Sequence, residues 1–232
     1  MIDKKKDIIQ HLNISDIFVF LSIDVEKEKF YDFFEKDKDI KLVGAFLIDL
    51  ANIGKIQIIK NKVYVKDPNP IGDQTLDIAF SLIKSFKKPQ SARKIFPYFF
   101  PYFSTKGLIQ ELFELLLDKL EIYGVMEYQK VIEYHNRRRF SKSLIPKNIN
   151  IDIKTHILNE LLNILLTDKE PDMKYYYLIC LLSVDEMYKV LGKNIDNKKI
   201  KERINILSSN EIISKIIDRE IYRGHANVQV VC

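Results

Sequence analysis

The chain contains no tryptophan, seven glycines, seven prolines and two cysteines among 232 residues. With so little glycine and proline there is no flexible linker, so one hydrophobic core is expected and not a string of modules. A chain of this length buries enough surface to be stable without disulfides. Cys180 lies inside an apolar run and Cys232 in the tail, and neither has a neighbour at metal or redox spacing. Long hydrophobic runs are missing too. The longest, Tyr175–Val184, is about half of the roughly 20 residues that a bilayer crossing requires. The charged segment Met1–Asp7 adjoins no signal-type apolar stretch. Any membrane role is therefore expected to be played from the surface, in a cytosolic setting.

Catalytic signatures are equally scarce. His11, His135, His156 and His225 are scattered, with no metal-ligand spacing. No glycine-rich phosphate loop or nucleophile elbow is present. Asp73 and Asp77, four residues apart, come nearest to a carboxylate pair, but a helix start accounts for acidic residues there. No catalytic residue, metal or cofactor is expected, and the chain reads as a non-enzyme. Its net charge of +5 permits an anionic partner.

What is present is helical periodicity broken by two β-rich stretches. Leu42 to Ile53 is apolar at helical spacing, and Gly54 stands where a left-handed cap belongs. Ile56–Ile59 and Val63–Val65 flank Lys60-Asn61-Lys62 and read as a hairpin. Thr75 is placed to cap the next helix, with Leu76, Ala79, Phe80 and Ile83 as its apolar face. The stretch 87–104 holds Pro89, Pro97 and Pro101 among the aromatic cluster Phe96–Phe103, so it is expected to be irregular. Buried, that cluster completes the core; exposed, it is a contact surface.

A helix over 105–123 follows, with Leu108, Leu112, Leu116 and Leu120 on one face and Gly124 as its stop. Val125 to Phe140 reads as a second hairpin that carries Arg137, Arg138 and Arg139. Helices are expected near 152–167, 171–191, 196–208 and 210–221, with Pro171 at a first helical position. The expected fold is mainly α, a single helical domain with two β-hairpins. It spans 15–222, with a flexible segment at 1–14 and a tail at 223–232.

Two pieces carry a family resemblance. Gly44-Ala-Phe-Leu-Ile-Asp-Leu-Ala-Asn-Ile-Gly-Lys-Ile56 is a helix of small and apolar residues with an acid, Leu-Ala, a Gly and a Lys. Asn69-Pro-Ile-Gly-Asp-Gln-Thr-Leu-Asp-Ile-Ala79 is a Pro-x-Gly-Asp-x-x-Leu-Asp-x-Ala element. In this order, joined by a hairpin, they resemble the signature of the Golgi phosphoprotein 3 family. Phe18–Lys29 resembles the family's opening apolar strand and acidic-lysine turn, and Leu116–Met126 its helix end before the second hairpin. From the residues themselves the signature is structural. Gly44 and Ala45 allow close helix approach, Gly54 takes a backbone shape that other residues resist, and Asp73 and Asp77 bracket a helix start.

The resemblance implies a peripheral protein on the cytoplasmic face of the Golgi membrane that binds phosphatidylinositol 4-phosphate. It further implies an adaptor in vesicle trafficking that holds glycosyltransferases by their cytosolic tails, together with coatomer. The second hairpin is similar to an element through which family members form homo-oligomers. Where the family has a headgroup-binding Trp and three Arg, this chain has Phe34, Val43, Gln110 and Phe113. The candidate membrane or phosphoinositide contacts are therefore Phe34, for its ring, with Lys41, Lys106, Arg137, Arg138 and Arg139 as substitute cations. A solvated loop is the plain alternative for the three arginines. A rival function is a winged-helix nucleic-acid module, made of the 105–123 helix and its basic hairpin. Glu111, Glu114 and Asp118 make that helix a poor groove reader, so no nucleic-acid partner is expected.

Overall fold

A computed structural model describes residues 2–100, 107–136, 139–167, 169–192, 197–208 and 215. Helix α1 (Ile2–His11) is followed by α2 (Ile14–Leu21), a two-residue ladder β1 (Ile23–Asp24) with β2 (Lys29–Phe30), and the long α3 (Asp32–Asn52). The first hairpin, β3 (Ile56–Ile59) and β4 (Lys62–Val65), leads into α4 (Gln74–Lys84). A short β5 (Gln90–Ser91) adds to β4, and α5 (Ala92–Ile95) runs into a 3₁₀ turn at Phe96–Phe99. Then come α6 (Leu108–Ile122) and the second hairpin, β6 (Glu127–Asn136) with β7 (Arg139–Lys147). Helices α7 (Ile151–Leu166), α8 (Met173–Leu181), α9 (Val184–Leu191) and α10 (Asn197–Ser208) complete the described chain. The architecture is mainly α with two β-hairpins, as expected.

Helix α2 is the hub. All of its residues are buried, and it packs against α3, α6 and α8. Ile17-Phe-Val-Phe-Leu21 is β-branched and aromatic, and its resemblance suggested a strand. It is a helix because a segment enclosed on every side has no solvent-facing alternation to satisfy, and because its N-terminus is well capped. The Asn13 N–H donates to Asp16 Oδ2 at 2.7 Å, and Asp49 of α3 accepts from the N–H groups of Ile14 (2.8 Å) and Ser15 (3.0 Å). These bonds take up donors that a helix start leaves without partners.

Both hairpins are launched by the same device. Gly54 (φ +75°) and Gly124 (φ +65°) follow α3 and α6 in the left-handed conformation. Lys55 N–H donates to Leu50 O and Gly54 N–H to Ala51 O, while Val125 and Gly124 repeat the pattern on Leu120 and Glu121. These are Schellman caps, and they turn the chain into a strand where the sequence placed its stops. The first hairpin closes through Lys60 (φ 48°) and Asn61 (φ 63°), a two-residue turn of the primed kind that suits the strand twist.

Several boundaries differ from expectation. The segment at 1–14, expected to be flexible, contains α1, with Ile9 and Leu12 buried in the core and Lys5 paired to Asp152 of α7 at 2.7 Å. Asp73 caps α4 in place of Thr75, accepting from the Leu76 N–H at 3.0 Å, while Thr75 is buried. The expected helix at 171–191 is two helices, since Ser183 and Glu186 form a capping box that starts α9. Pro171 lies before the α8 cap residue Asp172 and not inside the helix. In the aromatic stretch, Phe96 and Phe99 are buried while Tyr98 is 61% exposed. Phe103, the tail and all of the expected helix at 210–221 except residue 215, which is helical, lie outside the described residues.

Candidate functional site

The acidic residues of the signature hold elements together. Lys119 of α6 sits between Asp16 of α2 (2.6 Å) and Asp73 at the start of α4 (2.7 Å), and Asn13 Nδ2 also donates to Asp73 at 3.1 Å. Burial opposes the Lys119 charge, yet the two carboxylates outweigh it and raise the ammonium's pKa. Burial would also raise Asp73, but Lys119 and the Leu76 N–H hold it below the ordinary carboxylate value. Asp16 is pushed upward by complete burial, with Lys119 opposing the shift. Lys119 works toward the ionised form of both carboxylates, and burial works against it at Asp16. Asp77 accepts from the N–H groups of Ile71 (2.8 Å) and Gly72 (3.0 Å), which fixes the Pro-x-Gly-Asp loop. Burial lifts the Asp49 carboxyl to about 7 against its bonds to Ser15 and Ile14.

Two of the candidate membrane residues are core residues. Phe34 is completely buried, with its ring 5.0 Å from Phe30, 5.6 Å from Phe18 and 5.7 Å from Phe113. A ring that buries on the order of 150–250 Å² among other rings stays there, so the expected dip into a membrane is corrected. Lys41 is 3% exposed and ion-paired with Glu186, which also accepts from the Ser183 N–H at 2.7 Å. Seven residues after Phe34 on α3, it lies two turns along on the same buried side. It is not available to a phosphate. Val43 and Phe113 are buried and Gln110 is half-buried. The structure thus brings Phe34 and Phe113 together in one buried aromatic cluster. Lys38 Nζ caps the Phe113 ring from 5.4 Å.

Of the remaining candidates, Arg139 is among the described residues. Arg139 opens β7 opposite Asn136, at the tip of the second hairpin. Arg137, Arg138 and Lys106 lie outside the described residues. The hairpin is anchored at its base, where Tyr128 Oη donates to Asp118, Lys130 lies 3.7 Å from Glu114, and Lys147 pairs with Glu28. Ten residues of strand span roughly 30 Å, so the Arg139 backbone stands far from that base.

A cleft of about 870 Å³ lies between the β1–β2 turn, α7 and α9. Its charges are matched locally, with Lys27 to Asp24 at 3.1 Å and Lys29 to Asp32 at 3.4 Å. Lys154 reaches its floor, where the ammonium donates to Phe20 O and Leu21 O at 3.5 Å and to Ile23 O, over the Phe20 and Tyr31 rings. Burial pulls its pKa down to about 8. Below pH 8 the folded and unfolded chains both hold this proton; between about 8 and 10.5 only the unfolded chain does, so stability rises with pH there. The stability of wild type relative to Lys154→Met is expected to rise by about 3 kcal/mol from pH 7.5 to 10.5, measured by urea titration. Among the described residues, no three His, Cys, Asp or Glu side chains are grouped to hold a metal ion.

A family model matches residues 14–221, and its description is Golgi phosphoprotein 3 (GPP34). No curated protein matches the sequence.

Proposed function

This chain belongs to the Golgi phosphoprotein 3 family, and we propose that it is a peripheral adaptor of Golgi-type membranes. The family match carries this reading, because it spans nearly the whole described fold, from α2 through α10. No helix among the described residues is long and apolar enough to cross a membrane, which fits attachment from outside the bilayer. In this reading the adaptor holds the cytosolic tails of glycosyltransferases and, with coatomer, directs them into vesicles. Self-association through β6–β7 belongs to the same proposal.

Attachment runs through distributed positive charge. The aromatic cluster of Phe34 and Phe113 is closed by buried rings with Lys38 over its Phe113 edge, and an ionised phosphate buried among those rings would lose its hydration without compensation. Lysines and arginines beside an anionic leaflet contribute about 1 kcal/mol each, and phosphatidylinositol 4-phosphate is one of the anionic lipids that supply that field. The charges of Arg137, Arg138 and Arg139 join the attraction. Vesicle flotation tests the reading. The protein is expected to float with phosphatidylinositol 4-phosphate or phosphatidylserine vesicles, to stay behind with neutral ones, and to be released by salt. Equal flotation with neutral and anionic vesicles would overturn it.

A further inference from the structure

We infer that the outer face of the β3–β4–β5 sheet, with the Phe86–Gln90 link beside it, is the surface that lies on the anionic membrane. The inference rests on the adaptor reading and names the contact surface for it. In the β3–β4 register Ile59 pairs with Lys62 and Gln57 with Tyr64. The pleat therefore sets Ile59, Lys62 and Tyr64 on one face, while Ile56 and Val63 turn inward and are buried. A groove of about 240 Å³ runs between β4 and the link, lined by Val63, Tyr64 and Val65 of β4 and by Phe86, Lys87 and Lys88. Tyr98 stands edge-on to Phe86 at 4.9 Å and is mostly exposed.

The charge here is one-sided. From Ile78 to Gln110 the chain carries Lys84, Lys87, Lys88, Arg93, Lys94 and Lys106 and no acidic residue. The acids that precede this run in the sequence are already engaged. Asp67 pairs with Lys55 at 2.5 Å, Asp73 pairs with Lys119 at 2.7 Å, and Asp77 binds the Ile71 and Gly72 N–H groups. Among the described residues, Lys60, Lys62, Lys66, Lys87 and Lys88 have no carboxylate at ion-pair distance, and all five are exposed. Positive charge left uncompensated at several neighbouring positions destabilises the isolated fold slightly and is relieved by an anionic surface.

The exposed apolar residues select a lipid surface among anionic partners. Ile59, Tyr64 and Tyr98 are each at least 36% exposed amid the lysines. Tyrosines suit the headgroup level, and lysine stems lie along apolar surface while their ammonium groups stay in water. A three-stranded sheet also presents a broad face, unlike the narrow pocket that would clasp one headgroup.

The test uses the full chain and phosphatidylserine-containing vesicles, with neutral vesicles as the reference. Lys62→Gln/Lys87→Gln/Lys88→Gln is expected to bind about a hundredfold more weakly, each lysine contributing about a factor of five. The separate pair Lys60→Gln/Lys66→Gln is expected to lose about twenty-five-fold, with melting temperatures unchanged in both variants. If wild type binds and both variants bind equally well, the face is wrong and the adaptor reading stands. If wild type fails to bind anionic vesicles, the adaptor reading falls and the surface with it. Tighter binding of wild type to polyglutamate than to the vesicles at the same salt would assign the face to an acidic protein and overturn the inference.

Discussion

Replacing Lys119 by methionine is expected to lower the unfolding free energy by about 3–5 kcal/mol, read from urea denaturation at neutral pH. The lysine neutralises two carboxylates, and one of them, Asp16, is wholly inside the protein. Without it, Asp16 Oδ2 keeps only the Asn13 N–H, and its Oδ1 has no hydrogen-bond partner even in the intact protein. An uncompensated buried carboxylate must then take up a proton or draw in water, and either response weakens the junction of α2, α4 and α6. The double variant Lys119→Met/Asp16→Asn is expected to recover part of the loss, because an amide carries no charge and still offers Asn13 an acceptor. A single variant within 1 kcal/mol of wild type would show that the triad contributes little.

Phe34→Ala is the second large effect, with an expected loss of about 3–5 kcal/mol. Removing this ring opens a cavity bounded by Phe18, Phe30 and Phe113 at the turn from β2 into α3. The milder Phe34→Leu is expected to keep the fold and to bind anionic vesicles as wild type does. Lost vesicle binding at unchanged stability would return Phe34 to the membrane interface. The contrast separates a core aromatic from an interfacial one, two roles that share a residue type and differ in what a truncation removes.

Local chemistry made much of this fold legible in the sequence. Gly54 and Gly124 could be placed because a left-handed cap favours glycine, and both sit at the junctions where a helix becomes a hairpin. The first hairpin was readable from two apolar runs about a polar turn, and α6 from its leucine spacing. Where environment decides, the reading failed. Ile17-Phe-Val-Phe-Leu21 carries strand-like residues, and only its enclosure by α3, α6 and α8 and its caps from Asp16 and Asp49 make it helical. The same holds for the first helix and the residue that follows it, whose polar surroundings in sequence hide Ile9 and Leu12 in the core.

The candidate site was less legible for a related reason. In the sequence Lys41 reads as a cation open to a headgroup, but Glu186, 145 residues away, pairs with it. The lysine face of the first hairpin carried a usable signal, namely the run of basic residues without an acid after Asp77. Its weight became clear only once Asp67, Asp73 and Asp77 were seen to be engaged internally, a fact of tertiary contact that no local pattern records.

On the proposed reading, this family member meets its membrane through spread positive charge and not through a pocket for one headgroup. The most direct test compares wild-type binding to vesicles bearing phosphatidylinositol 4-phosphate or phosphatidylserine, matched in total charge, across a salt series. Affinities equal within about threefold, with both falling steeply as salt rises, are the expected result. A tenfold or greater preference for phosphatidylinositol 4-phosphate that persists at high salt would contradict it.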